Sequence, residues 1–154
     1  LNKILTPSKL AAEKDLQEMA RRVTDTLAVH SNQKAKVLFL EGDLGAGKTT
    51  FTKELAGVLG IGKDEVHSPT FILKKEYKAE HPFFEKLIHI DAYRFDDPQE
   101  AKVLKLDRDI EDEKTLMVIE WPSKLGGMVD EDMTITFSVL DDTTREVVVN
   151  YVNG

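Results

Sequence analysis

The sequence predicts a three-layer α/β fold with a mixed sheet, parallel at its centre and carrying a C-terminal antiparallel hairpin. Two observations lead to this fold class. Three short runs are continuously apolar, which is typical of central strands covered on both faces. Near the C-terminus, two segments of alternating apolar and polar residues flank a polar turn, which indicates a hairpin.

The composition is that of a globular protein, and the length of 154 residues predicts one domain spanning residues 1–154. The formal net charge of −7 argues against broad, unaided binding of nucleic acid, which needs a basic surface. We find no segment with the pattern of a membrane span or a signal peptide. The chain has no cysteine, so disulfides and thiolate chemistry are excluded. We therefore expect a cytoplasmic protein with no membrane partner.

Apolar residues recur every three to four positions ahead of the first apolar run, at Ala12, Leu16, Met19, Ala20, Val23 and Leu27. This spacing predicts one helix over roughly residues 8–29, preceded by a short lead-in. Thr6 or Ser8 would cap that helix. After a polar loop, Lys36–Glu41 is predicted to be a central strand.

The segment that follows has the form G-x-x-x-x-G-K-[ST], the phosphate-binding P-loop, and reads Gly42-Asp43-Leu44-Gly45-Ala46-Gly47-Lys48-Thr49. A predicted strand precedes it and a helical pattern from Thr50 to Leu59 follows it. The glycines allow backbone N–H groups to turn toward an anion, and the helix N-terminus adds partial positive charge. Lys48 is then expected to reach the β- and γ-phosphates of a nucleotide, and the Thr49 hydroxyl to hold Mg²⁺.

Two later apolar runs, Leu87–Asp91 and Leu116–Glu120, each end in a carboxylate. Ligands of open α/β sheets bind beyond the carboxyl ends of the strands, so either acid can lie beside Thr49. Spacing leaves open which acid serves Mg²⁺ and which orients the attacking water. His89 alternates with its neighbours, and we expect it to pack in the sheet rather than to take part in catalysis.

The remaining segments complete the predicted sheet. Ile72–Tyr77 is predicted to be a strand, and Gln99–Leu104 a short helix started by Asp97. Thr134–Leu140 and Arg145–Tyr151 are predicted to form the C-terminal hairpin.

No N-K-x-D sequence, which specifies guanine, occurs in the chain, so ATP is the expected nucleotide. A small-molecule kinase on the same scaffold would need an acceptor pocket and usually a basic lid, whereas residues 92–114 are few and acidic. A nucleotide-gated binding module without useful hydrolysis stays open. Trp121 is open to a core role, a stacking role or a place on a partner surface. A lone arginine such as Arg94 is more often structural than in contact with the γ-phosphate.

Four segments occur together in one order: Gly42–Thr50, Ser68-Pro69-Thr70-Phe71, His89-Ile90-Asp91-Ala92-Tyr93-Arg94 and Ile119-Glu120-Trp121-Pro122. With them, the sequence resembles the bacterial TsaE (YjeE) family of small P-loop ATPases from its first helix to its final hairpin. The resemblance implies an ATP-binding and hydrolysing accessory protein required for the threonylcarbamoyl modification (t6A) of adenosine 37 in tRNAs that read codons beginning with A. It also implies action through the TsaB–TsaD pair, with tRNA met indirectly.

The resemblance further implies roles for individual residues. Lys48 looks like the phosphate-binding lysine, Thr49 and Glu120 like the Mg²⁺-linked pair, and Asp91 like the acid needed for hydrolysis. The P-loop from Gly42 to Thr50 would hold the phosphates of ATP. ATP turnover is expected to be weak for the protein alone and to rise when the TsaB–TsaD pair is added.

Other positions follow from the same resemblance. Thr70, an ordinary loop residue on spacing alone, lies in the family's switch-like loop and gains a catalytic role. Trp121 and Arg145, which sits in the last hairpin, are expected to approach the nucleotide. Two departures concern Ala92, where a larger apolar residue is common, and the first helix, which lacks a threonine often found near its start. Any adenine contact by that helix is therefore left open.

Overall fold

Seven strands form one sheet in the computed structural model, which describes residues 2–10, 13–30, 33–66, 74–142 and 144–152. They are β1 (Asn2–Leu10), β2 (Lys36–Glu41), β3 (Lys74–Lys78), β4 (Lys86–Asp91), β5 (Thr115–Glu120), β6 (Met133–Val139) and β7 (Arg145–Val152). Their order across the sheet is β1-β7-β6-β2-β5-β4-β3. The four strands from β6 to β4 are parallel, and the other pairs are antiparallel. The parallel centre and the C-terminal hairpin are thus confirmed.

Helices and 3-10 turns cover both faces of this sheet. The α-helices are α1 (Glu13–Ala28), α2 (Lys48–Val58) and α3 (Asp107–Ile110), and the 3-10 turns are Lys63–Glu65, Pro98–Leu104 and Pro122–Leu125. On one face, α1 and α2 pack against alternate residues of the central strands, among them Leu38, Leu40, Leu116 and Val118. The other alternate residues, among them Val37, Ile88, Met117 and Ile119, pack against the short helical segments.

Strand β5 lies at the middle of these three layers, and all six of its residues are buried. Apolar side chains are therefore favourable at every position rather than at every second one, which is why the sequence of a central strand does not alternate. The polar residues at its two ends, Thr115 and Glu120, are consequently buried as well.

The N-terminal region corrects the sequence-based expectation of a helix starting near residue 8. Asn2–Leu10 is a strand that pairs antiparallel with β7, and α1 begins only at Glu13. The pairing shifts register between Leu5 and Ser8, where Pro7 lacks the N–H that a regular ladder requires. Tertiary pairing with β7 therefore overrides the local capping signal at Thr6 and Ser8.

Smaller differences concern element boundaries. Helix α2 begins at Lys48, two residues before the predicted start, and β3 begins at Lys74 rather than residue 72. Residues 72 and 73 lie outside the described part of the chain. The short helix after β4 is a 3-10 turn, and Asp97 caps it by accepting a hydrogen bond from the Gln99 N–H at 2.8 Å.

Within the described ranges, the structure has no helix that is both long and apolar enough to cross a membrane.

Candidate functional site

The glycine-rich loop joins β2 to α2 through backbone conformations that favour glycine. The φ angles are 145° at Gly42, 77° at Gly45 and 111° at Gly47. A Cβ atom added at Gly42 would lie 2.7 Å from the carbonyl oxygen of Phe137 on β6. The absence of a side chain at Gly42 therefore allows the start of the loop to pack closely against β6.

The first turn of α2 is left open to an anion. Gly47 occupies the N-cap position and offers no side-chain oxygen to the helix N–H groups, and the first turn contains no acidic residue. N–H groups of a helix N-terminus without such a cap need another acceptor, and the helix dipole favours a negative one. Thr49 is half-buried and Thr50 exposed on this turn, while Asp43 and Leu44 are exposed in the loop itself.

Lys48, the first residue of α2, is a buried cation with only 5% of its surface exposed. Its Nζ donates to the carbonyl oxygen of Gly42 at 2.5 Å and lies 4.0 Å from the centroid of the Trp121 ring. Burial lowers the pKa of the Lys48 ammonium, and the charges of Glu120 and Asp91 oppose that lowering. Such a desolvated ammonium is strongly attracted to an anion brought within reach.

The two strand-end carboxylates lie side by side. Asp91 on β4 and Glu120 on β5 are register partners in a parallel pair. Because β5 lies between β2 and β4, Glu120 is on the strand next to the P-loop strand and Asp91 is one strand further away. The strand order thus distinguishes two acids that spacing alone could not.

Asp91 is the less buried of the two acids. Its Oδ1 accepts a hydrogen bond from the Tyr93 N–H at 3.0 Å. Burial raises the pKa of the Asp91 carboxyl, and the neighbouring charge of Glu120 adds to the rise, while the Tyr93 hydrogen bond opposes it. A carboxyl group with a raised pKa is better able to accept a proton than an exposed aspartate.

His89 is a residue of this site that the sequence analysis assigned to packing alone. It is fully buried in the sheet, as expected, but its Nε2 also lies 2.6 Å from Oε2 of Glu120. The signal was present in the sequence, because His89 stands two positions before Asp91 and therefore shares its face of β4. What was missing was the pairing of β4 with β5, which brings Glu120 to that face.

Trp121 adopts a left-handed backbone conformation, with φ at 57°, directly after β5. A non-glycine residue rarely adopts this conformation without a tertiary reason. The turn carries the indole over the Lys48 ammonium, and its ring centroid also lies 5.0 Å from that of Tyr93. Trp121 therefore lies beside Lys48 while also packing, partly buried, against the core on the second face of the sheet.

Two further predicted residues differ in position. Arg145 begins β7 opposite Val139, at the same end of the sheet as the P-loop. Its Nη1 donates to the carbonyl oxygens of Asp141 at 3.1 Å and Thr144 at 3.4 Å. Thr70 lies outside the described residues, between Val66 and Lys74.

Comparison with known proteins gives one consistent family. The model of the family described as "Threonylcarbamoyl adenosine biosynthesis protein TsaE" matches residues 10–147. Curated relatives named tRNA threonylcarbamoyladenosine biosynthesis protein TsaE include one from Haemophilus influenzae, 31% identical over 92% of this chain and 87% of its own. Another, from Bacillus subtilis, is 39% identical over 77% of this chain and 71% of its own.

The fold comparison agrees with the sequence comparison. The crystal structure of YdiB from Bacillus subtilis superposes with a TM-score of 0.69 at 28% identity, and covers 99% of this chain and 88% of its own. The family match includes the whole P-loop and both strand-end acids. The protein described here is a member of the TsaE family, and its fold is that of a P-loop protein.

Proposed function

We propose that residues 1–154 form one ATPase domain that binds and hydrolyses ATP in support of threonylcarbamoyladenosine formation in tRNA. The protein works in the cytoplasm, acts through TsaB and TsaD, and meets tRNA only through that complex. Support for the pathway comes from the family match and from relatives named for t6A biosynthesis. The observation that carries ATP binding is the buried ammonium of Lys48 beside an uncapped helix N-terminus.

Phosphate recognition follows from that geometry. The Lys48 ammonium has lost most of its water, so a phosphate oxygen that replaces this water gains a charge-assisted hydrogen bond. Backbone N–H groups of the first turn of α2 supply further donors, because no side chain caps that turn.

The oxygen atoms near Lys48 fit a hard divalent cation. Oε2 of Glu120 is taken by His89, whereas Oε1 accepts no hydrogen bond from the described residues. Thr49 and Glu120 would hold Mg²⁺, which would neutralise charge on the β- and γ-phosphates. No group of three metal-binding side chains occurs in the described part of the chain. Phosphate oxygens of the nucleotide and water would supply the remaining ligands of such an ion.

Asp91 is assigned to the attacking water. Asp91 lies one strand beyond Glu120, so it would be near the phosphates but would not be a ligand of the Mg²⁺ held by Thr49 and Glu120. The raised pKa of its carboxyl suits the acceptance of a proton from that water. The Arg145 guanidinium donates to two hairpin carbonyls, and we assign it to contact with the nucleotide rather than to the role of an arginine finger. Turnover by the protein alone is therefore slow.

Exposed apolar side chains support docking of a protein partner at the site. Leu44, Tyr93, Val139 and Leu140 are 44–67% exposed, and each follows or ends a strand at the carboxyl end of the parallel strands. Large apolar side chains that surround a polar site mark a surface that another protein covers. A partner seated there would exclude water from the nucleotide and could supply the missing positive charge.

ATP turnover measured with and without the TsaB–TsaD pair tests the proposal. We expect slow Mg²⁺-dependent turnover alone, at least about tenfold faster turnover with the pair, and no stimulation of a Lys48→Ala variant. Asp91→Ala should lose turnover by about a hundredfold while ATP affinity changes less than about threefold. If the wild-type protein neither binds ATP nor associates with the pair, the proposal is wrong.

A further inference from the structure

We propose that His89 is a positioning residue that fixes the carboxylate of Glu120 and leaves a single oxygen, Oε1, to face the metal and nucleotide. The inference rests on the proposed function, because it concerns how Glu120 serves Mg²⁺. Its basis is a contact between two side chains that are 0% and 4% exposed, at a distance of 2.6 Å.

The register of the sheet creates this contact. His89 pairs with Val118, and Asp91 pairs with Glu120, so His89 and Glu120 are diagonal neighbours on one face of two parallel strands. That face is the one covered by α1 and α2, which keeps water away from both groups. A carboxylate in such a place adopts few orientations, and a short hydrogen bond reduces them further.

The unused ring nitrogen identifies which atom carries the proton. His89 Nδ1 is buried and has no hydrogen-bond partner among the described residues. A proton at Nδ1 would be a buried donor without an acceptor, so a proton on Nε2, where Glu120 accepts it, is favoured. Nε2–H then donates to Oε2 of Glu120. Oε1 of Glu120 is left without a hydrogen-bond donor among the described residues.

A purely structural pair would behave differently. If His89 only fills space in the sheet, its replacement changes stability and leaves the effect of Mg²⁺ on nucleotide binding unchanged. If it orients Glu120, replacement weakens the contribution of Mg²⁺ even in a variant that folds well. Substitution of residues that orient a metal ligand typically weakens metal affinity or activity by about 10- to 100-fold.

The variants His89→Gln and His89→Asn form a matched pair. Both carry a neutral amide, but only glutamine is long enough to place its N–H near the position of Nε2, since asparagine is one methylene shorter. The affinity for the non-hydrolysable analogue AMP-PNP is measured by calorimetry with and without Mg²⁺, and Tm is measured for each variant. We expect Mg²⁺ to strengthen binding in the wild type and in His89→Gln, and this gain to shrink about tenfold in His89→Asn.

The inference would be overturned if Mg²⁺ strengthened AMP-PNP binding equally in the wild type and in His89→Asn. It would also be overturned if His89→Gln and His89→Asn lost this effect of Mg²⁺ to the same extent. Absence of AMP-PNP binding by the wild type would instead overturn the proposed function, and this inference with it. The wild-type protein supplies a measurement that needs no variant, because ¹⁵N chemical shifts of the His89 ring report its tautomer. A proton on Nε2, with a shift of that resonance when Mg²⁺ and AMP-PNP are added, is expected; a proton on Nδ1 would contradict the inference.

Discussion

The two ends of the parallel strands each bury a histidine–carboxylate pair, and the two pairs differ in how completely their polar atoms are used. At the amino end, His30 Nε2 lies 3.1 Å from Oδ1 of Asp132, and His30 Nδ1 lies 2.5 Å from the Tyr151 hydroxyl. Oδ2 of Asp132 accepts the Val37 N–H at 2.8 Å. All four of these side-chain atoms therefore have partners, and α1, β2, β6 and β7 are joined through them.

At the carboxyl end, the corresponding pair is only half satisfied. Among the described residues, His89 Nδ1 has no hydrogen-bond partner, and none donates a hydrogen bond to Oε1 of Glu120. Both carboxylate oxygens of Asp132 are thus used within the fold, whereas one oxygen of Glu120 stays available to a ligand. The comparison therefore distinguishes a carboxylate that only joins elements of the fold from one that can also bind a ligand.

Replacement of the two buried lysines should give the clearest difference between the carboxyl and the amino ends of the parallel strands. Lys48→Ala removes charge-assisted hydrogen bonds to two phosphates, each worth about 1.5–3 kcal/mol, so ATP affinity should fall at least about a hundredfold. Lys36, at the amino end, is also buried and donates to the Lys34 carbonyl oxygen at 3.0 Å. Lys36→Ala should lower Tm and leave ATP affinity unchanged, as measured by calorimetry. Similar losses of ATP affinity in both variants would show that the carboxyl end is not the specific site of ATP binding.

Removal of the Asp132 carboxylate should show how much the histidine–carboxylate pair at the amino end contributes to stability. Asp132→Ala leaves His30 and the Val37 N–H without their partner, so we expect a loss of about 3 kcal/mol in the free energy of unfolding. Urea denaturation measures that loss, and Asp64→Ala, at an exposed acid, should change it by less than about 0.5 kcal/mol. ATP affinity should stay within about twofold in both variants; a selective loss in Asp132→Ala would contradict the assignment of this end to stability.

The loop glycines should differ in a graded way. Gly42→Ala combines a φ of 145° with a Cβ only 2.7 Å from the Phe137 carbonyl oxygen, so a loss of at least about 2 kcal/mol is expected. Gly45→Ala has a φ of 77° but no atom within 4 Å of its new Cβ, and its cost should be about 1 kcal/mol. Thermal denaturation of both variants checks the order, and a greater cost at Gly45 would show that the packing against β6 is unimportant.

The smallest effect should come from Asp91→Asn. Because burial raises the pKa of the folded Asp91, the unfolded chain ionises first as pH rises, and the cost to folding is complete above the folded pKa. The asparagine variant should therefore gain about 2 °C in Tm at pH 7, and this gain should vanish below about pH 3, where both states of the wild type are protonated. A gain that is independent of pH would point to packing instead of charge.

Much of the fold followed from local patterns. The central strands and the glycine loop were predictable because apolar runs and glycine spacing are imposed by burial and by backbone geometry at those positions. The strand β1 was not, since the segment around Pro7 carries a helix-capping signal and gains its conformation from β7, more than a hundred residues away. Long-range pairing of this kind leaves little trace in a local window.

The site was predictable in composition but not in arrangement. Asp91 and Glu120 could be named from their places at strand ends, yet their order relative to the P-loop depends on β5 lying between β2 and β4. The contact between His89 and Glu120 depends on the same strand order, so the sequence alone assigned His89 to the core. The residue types of a site can be identified in the sequence, whereas the contacts between side chains on different strands depend on the strand order.

The position of Trp121 also makes the protein its own optical reporter. It is the one tryptophan in the sequence, and its ring centroid lies 4.0 Å from the Lys48 ammonium. Indole emission depends on nearby charge and on access to water, so a phosphate that draws the ammonium away from the ring changes the signal of the whole molecule. Nucleotide arrival and departure can thus be followed in real time by fluorescence, without a label, in the unmodified chain.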